Sequence, residues 1–172
     1  MRSTKKLALS AMLVALGTVF MTLGSFVEVL DLTVCALTSL IVAFAYLEIG
    51  SPYTWLIWIA TSLCTALLGG VLWMEYLLVF GVYPLLKAYI ERLRHGLWIP
   101  LKIVYANLAC LLLHLLSLLV IGQSIFAAES KLISGLIILA MNGAMLLYDY
   151  FITVLVRFYC DRLRHRFRKF LK

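Results

Sequence analysis

Six apolar runs separated by short polar segments dominate the pattern of this chain. They are Leu7–Val27, Leu32–Tyr46, Tyr53–Leu72, Met74–Leu86, Leu97–Ile121 and Leu132–Val156. Most approach the roughly 20 residues that a helix needs to cross about 30 Å of hydrocarbon. The pattern predicts an all-α integral membrane bundle of six transmembrane helices, formed by residues 1–172 as one domain.

The basic residues are distributed unevenly along this pattern. If the N-terminus is inside, fourteen of the fifteen Lys and Arg residues fall on the cytoplasmic side, and only Lys131 falls outside. Cytoplasmic loops retain Lys and Arg, so this asymmetry favours a multi-pass protein of the cell membrane with both termini cytoplasmic.

Composition supports a membrane protein and narrows its partners. The chain is 65% hydrophobic and its mean hydropathy is +1.05, whereas apolar residues make up about 45–50% of an ordinary soluble domain. The net charge of +7 lies in short juxtamembrane clusters. We therefore expect the basic tail, residues 157–172, to contact anionic lipid, and we expect no nucleic-acid partner.

The catalytic and metal-binding motifs that would indicate an enzyme are missing. The sequence contains no HExxH, no GxSxG and no aspartate-rich phosphate motif, and its four cysteines form no CxxC pair. The connections between runs are also too short for a soluble catalytic domain. We predict that the protein is not an enzyme and uses neither a cofactor nor a metal ion.

The fourth apolar run differs from the others because it is short and interrupted. It spans only Met74–Leu86, and Lys87 follows directly. Pro84 should kink the helix, and Gly81 lies one turn earlier. Such a span is typical of a helix that forms a binding site, although a half-buried, poorly packed helix would show the same pattern.

Polar residues inside the last two runs form two stripes. Asn107 and His114 are seven residues apart on one helix face, and Ser117 continues that face. Asn142 and Asp149 form the second stripe. Counting 1.5 Å per residue places Asn142 near the depth of His114, and Asp149 near Lys87.

Two interpretations remain open for these stripes and for Glu75, the acid at the outer start of the fourth run. Glu75, His114, Ser117 and Asn142 are candidates for the lining of an outward-facing substrate pocket, with Glu75 at its mouth. Alternatively the asparagines join helices by hydrogen bonds and Glu75 is a solvated helix end. Asp149 needs a counter-charge inside a membrane, and we predict a structural ion pair with Lys87.

The first run carries a pair of small residues, Ala11 and Ala15, which would let another helix approach closely. The surrounding sequence, KKLALSAMLVALG at residues 5–17, resembles the start of the substrate-binding S components of energy-coupling factor (ECF) transporters. The resemblance implies six spans and a pocket built from the first outer loop and the last three spans. It also implies that Ala11 and Ala15 dock a membrane-embedded T component, which works with two ATPase subunits to import a small, vitamin-like molecule.

A second class of function is compatible with the same pattern. An MreD-like membrane scaffold, which organises cell-wall synthesis, is also a small six-span protein. It would have no transport activity and no pocket, and its polar stripes would serve only to join helices.

Overall fold

The structure of the protein is a computed structural model that describes residues 3–27, 30–68, 72–120, 122 and 131–164. Every element within these residues is helical. In chain order the α-helices are α1 (Ser3–Gly24), α2 (Asp31–Glu48), α3 (Ser51–Leu67), α4 (Trp73–Glu75), α5 (Tyr83–Ile90), α6 (Trp98–Val120) and α7 (Lys131–Phe158). A π-helix (Tyr76–Phe80) lies between α4 and α5, a 3₁₀ turn (His95–Leu97) precedes α6, and a second π-helix (Tyr159–Leu163) follows α7.

Four helical stretches of the described chain are long and apolar enough to cross a membrane. They are Thr4–Gly24, Asp31–Glu48, His95–Val120 and Gly135–Arg162. Helix α3 has 17 residues, the lower limit for a spanning helix, and the α4–α5 segment (residues 73–90) is divided by its π-helix. The predicted all-α class is confirmed, together with four helices of membrane-spanning length.

Helix α2 lies at the centre of the bundle, where it packs against α1, α3, α5 and α7. Lys6, near the start of α1, donates to the carbonyl of Ile49 at 3.3 Å. Arg164, beyond α7, pairs with Glu48 at 3.3 Å. The start of α1 and the end of α7 therefore lie at one end of the bundle, which we call the terminal end. Helices α2, α4 and α7 begin at the opposite end.

Hydroxyl side chains fill much of the contact between α1, α2 and α3. Thr18, Thr61 and Thr65 are buried there, and Thr65 donates to the carbonyl of Thr61 at 2.8 Å. A methyl group added at Gly17 would lie only 3.1 Å from the Thr61 methyl carbon. Because the hydroxyls of Thr18 and Thr65 bond within their own helices, they pack as small groups and permit close helix approach.

Candidate functional site

A mostly apolar pocket of about 400 Å³ lies towards the opposite end, between α2, the α4–α5 segment, α6 and α7. We call it the Glu75 pocket, because Glu75 is the one charged side chain among its described lining residues. The apolar wall includes Leu32, Val79, Ala106, Leu113, Met141 and Tyr148. Oxygen Oε2 of Glu75 is buried and has no hydrogen-bond partner in the described part of the chain.

The backbone around Glu75 departs from the expected kinked helix. Pro84 lies in the first turn of α5, where its missing N–H is not needed, so it begins a helix instead of bending one. The break comes earlier, in the π-helix Tyr76–Phe80, which the N–H of Gly81 closes by donating to the Tyr76 carbonyl at 2.7 Å. The wider π-turn begins directly after Glu75 and is a feature often found at functional sites.

Side chains from three other helices bond to the carbonyls that this break leaves available. Trp58 donates to the carbonyl of residue 77 at 3.2 Å. The hydroxyl of Tyr105 lies 2.8 Å and 2.9 Å from the carbonyls of residues 78 and 79. Tyr148 reaches the carbonyl of residue 80 at 3.3 Å, which lacks a helical donor because Pro84 has no N–H. These bonds hold the broken segment, and with it Glu75, in a fixed place.

The other predicted pocket residues do not line the Glu75 pocket. Asn142 instead forms a reciprocal amide pair with Asn107, with N···O distances of 3.1 Å and 3.3 Å. Each amide also donates to the carbonyl four residues earlier in its own helix, so all their donors are used. His114 is half-buried and Ser117 is buried, both further along α6. Of the four predicted pocket residues, Glu75 alone is among the described residues that line this pocket.

The amide pair also corrects the estimate of depth. Asn142 lies level with Asn107, not with His114, and Asp149 lies level with Lys102. The estimate failed because it treated the ends of the last two runs as level. Helix α7 has 28 residues and α6 has 23, so their ends do not coincide.

A second cavity, of about 460 Å³, lies towards the terminal end. We call it the lysine cavity, because Lys87 and Lys102 lie in its wall with side chains only 7% exposed. Asp149 and Glu91 line the same cavity. The exposed Arg157 lines it too, so three cations and two anions share this space.

The two lysines and the two acids form one connected network. Asp149 pairs with Lys87 through Oδ1 and with Lys102 through Oδ2, the latter at 2.6 Å. Glu91 Oε1 lies 3.1 Å from Lys87 and 3.5 Å from Lys102. Tyr83 adds a hydrogen bond to Asp149 at 2.7 Å. The predicted partners Asp149 and Lys87 thus meet, within a larger network that joins α5, α6 and α7.

Sequence reasoning missed Lys102 and Glu91, although each left a signal. Glu91 follows Lys87 by four residues, the spacing at which side chains meet on a helix. Lys102 lies in the first turns of an apolar helix. A lysine there must either extend to the membrane surface or pair with an acidic side chain, and Lys102 pairs with Asp149.

Three tyrosines, which we call the tyrosine layer, form a connected group that reaches both cavities. The ring centroid of Tyr83 lies 5.5 Å from that of Tyr105 and 5.5 Å from that of Tyr148. Tyr148 lines the Glu75 pocket, whereas Tyr83 bonds to Asp149 of the lysine cavity. Tyr148 also bonds to Ser39 of α2. The tyrosine layer therefore connects the wall of the Glu75 pocket to the ionic network.

The remaining predicted sites lie at the surface of the bundle. Ala11 and Ala15 are both exposed on α1, which packs on α2 and α3. Of the basic tail, Arg157 and Arg162 are exposed, and residues 165–172 lie outside the described residues. Most of the connection between the last two apolar runs, residues 122–131, also lies outside the described residues.

Comparison with known protein families, with curated proteins and with solved structures finds no match. Within the described residues, no group of three or more His, Cys, Asp or Glu side chains is placed to hold a metal ion. The chemistry available is that of an apolar pocket with one acid, and of a balanced ionic network behind it.

Proposed function

We propose that the protein is the substrate-binding membrane subunit of an ECF-type importer. The Glu75 pocket carries this proposal. Its volume of about 400 Å³ lies within the range of about 300–1,000 Å³ that small-molecule sites occupy. Its walls come from Leu32, at the start of α2, and from the last three helical segments. The resemblance of the first helix implies a pocket built from the first outer loop and the last three spans, and Leu32 lies in α2 just after that loop.

The proposal includes a topology of six spans with both termini cytoplasmic. The distribution of basic residues supports this direction, and the terminal end of the bundle holds both the start of α1 and the end of α7. In this topology the Glu75 pocket opens towards the outside of the cell. The lysine cavity then faces the cytoplasm, with the tyrosine layer between them.

The proposal also assigns a role to the exposed face of α1. A T component would dock on Ala11 and Ala15, where small side chains allow close helix contact. This face is separate from the walls of the Glu75 pocket. Substrate capture and coupling to the two ATPase subunits would therefore use different surfaces of the bundle.

A purification from the native host tests this function. The protein is isolated in mild detergent, and native mass spectrometry reports bound subunits and retained small molecules together. We expect a T component, two ATPase subunits and a retained ligand. Ala140→Phe provides a matched variant, because residue 140 lines the pocket and is exposed. It should lose the ligand and keep the subunits.

A scaffold of the MreD type is the second candidate, and one observation favours it. The amide pair of Asn107 and Asn142 uses its donors between α6 and α7, as expected if that stripe only joins helices. In that case cell-wall synthesis proteins should co-purify with the chain, without a small molecule, and Ala140→Phe should have no effect.

A further inference from the structure

The Glu75 pocket holds an acid that the protein itself does not neutralise. Its wall is almost entirely apolar, yet Oε2 of Glu75 is buried there without a hydrogen-bond partner among the described residues. A buried carboxylate in such surroundings is costly unless a cation or a donor pairs with it. A ligand that carries a cation or a donor would therefore supply the partner that Glu75 lacks.

In the lysine cavity, by contrast, both acids have cationic partners. Asp149 receives two lysines and a tyrosine hydroxyl, and Glu91 receives the same two lysines. These cations lie behind the tyrosine layer and are already engaged. None of them is placed to serve Glu75.

A second acid strengthens the negative charge at this end of the bundle. Asp31 begins α2 and immediately precedes Leu32, which lines the pocket. Its oxygen Oδ1 is likewise buried without a partner among the described residues. The charges of Asp31 and Glu75 act on each other, and like charges in a weakly polar environment repel strongly. A bound cation would relieve both groups.

We infer that the Glu75 pocket takes a hydrophobic amine, with the protonated nitrogen at Glu75 and the apolar body against Leu113, Met141 and Tyr148. This inference rests on the proposed function, because it names the substrate class of the same pocket. An anionic ligand would meet the Glu75 carboxylate and would also be repelled by Asp31, which directly precedes the lining residue Leu32. A neutral ligand could donate a hydrogen bond to Oε2 of Glu75, but it would leave the negative charge of the carboxylate unbalanced.

Calorimetry on the full chain in lipid nanodiscs tests this inference with two matched probes. The probes are 4-phenylbutylamine and 4-phenylbutanol, which differ in charge and not in the apolar body, and empty nanodiscs correct for partition into lipid. A charge-assisted hydrogen bond contributes about 1.5–3 kcal/mol, so the amine should bind about 10- to 150-fold more tightly than the alcohol.

Three variants separate the amine preference from the pocket itself. Glu75→Gln should remove the preference for the amine and leave alcohol binding within about twofold, because the side chain keeps its shape. Ala140→Phe should weaken both probes by filling the pocket. Asp161→Asn, which removes an exposed carboxylate at the terminal end, should change neither.

The outcomes distinguish this inference from the proposed function. If both probes bind equally and Glu75→Gln changes neither, the amine class is wrong while the pocket stands, provided that Ala140→Phe still weakens both. If neither probe binds wild-type protein and no retained ligand is found in the native preparation, the proposed function and the amine inference fall together.

Discussion

Lys102 of α6 and Asp149 of α7 lie 2.6 Å apart, measured from Nζ to Oδ2. This contact, together with the pair between Asp149 and Lys87, makes Asp149 the centre of the lysine cavity. One carboxylate therefore links three helical segments that are far apart in the sequence. Its removal should have a different effect from the removal of either lysine.

We expect Asp149→Asn to destabilise the protein strongly, by about 3–5 kcal/mol, the usual result of breaking a buried ion pair from one side. Both lysines would then depend on Glu91, whose side chain is 34% exposed and more distant. Lys87→Met should cost less, because Asp149 would keep Lys102. Thermal unfolding of the purified protein in detergent measures these differences.

A double variant provides the control for this prediction. Asp149→Asn combined with Lys87→Met restores equal numbers of positive and negative charges, so it should be more stable than Asp149→Asn alone. If the double variant is instead less stable by the sum of the two single losses, charge balance in the network does not govern stability.

Substituting the exposed face of α1 should affect partner binding and not folding. Ala11→Leu with Ala15→Leu adds bulk where neither residue contacts the bundle core, so thermal stability should stay within about 0.5 kcal/mol. Pull-down of the T component should fall sharply. Leu16→Phe, at an exposed position of α1 that points away from the face shared by Ala11 and Ala15, is the size control and should keep normal pull-down. Unchanged pull-down by the double variant would contradict the docking role.

Changes to the polar stripe should leave ligand binding intact. Asn142→Ala removes an interhelical amide pair, which is worth about 0.6 kcal/mol on average in membrane proteins. Since neither Asn142 nor His114 lines the Glu75 pocket, Asn142→Ala and His114→Ala should both bind 4-phenylbutylamine as wild type does. A tenfold loss in either variant would mean that the site extends beyond the pocket defined by Glu75.

The break before α5 should not tolerate a side chain at Gly81. A methyl group there would lie 2.6 Å from Trp58 Cδ1 and 2.8 Å from the Tyr76 carbonyl oxygen, and the backbone atom cannot move away cheaply. We expect Gly81→Ala to cost about 1–3 kcal/mol. Gly143→Ala is the matched control, because a methyl group on α7 at that position meets nothing within 4 Å; equal stability of the two variants would show that the break is not tightly packed.

Cysteine labelling should reveal the topology. In a chain whose four natural cysteines are replaced, Gln123→Cys should react with a membrane-impermeant maleimide on intact cells. Gly96→Cys, where a new side chain has open space, should react only after the cells are opened. The reverse pattern would place both termini outside and would remove the outward-facing pocket from the proposed function.

The sequence was sufficient to locate the helices, because apolar runs of helical length reveal them without reference to tertiary contacts. The predicted run Leu97–Ile121, for example, differs from α6 by one residue at each end. The need of Asp149 for a cation also followed from the cost of a charge in hydrocarbon. The location of a helix and the need of a buried charge for a partner both depend on a single segment of the chain.

What the tertiary structure alone decided is which faces meet. Helical spacing placed Asn142 among the pocket candidates, and its position at the outer start of the fourth run placed Glu75 there. The relative depth of α6 and α7 instead pairs Asn142 with Asn107, whereas Glu75 lies against an apolar wall. The relative depth of α6 and α7 also brings Lys102 to Asp149. Hydrophobicity sets the length of each helix, whereas its rotation and level follow from packing against several neighbours at once, which no single segment encodes.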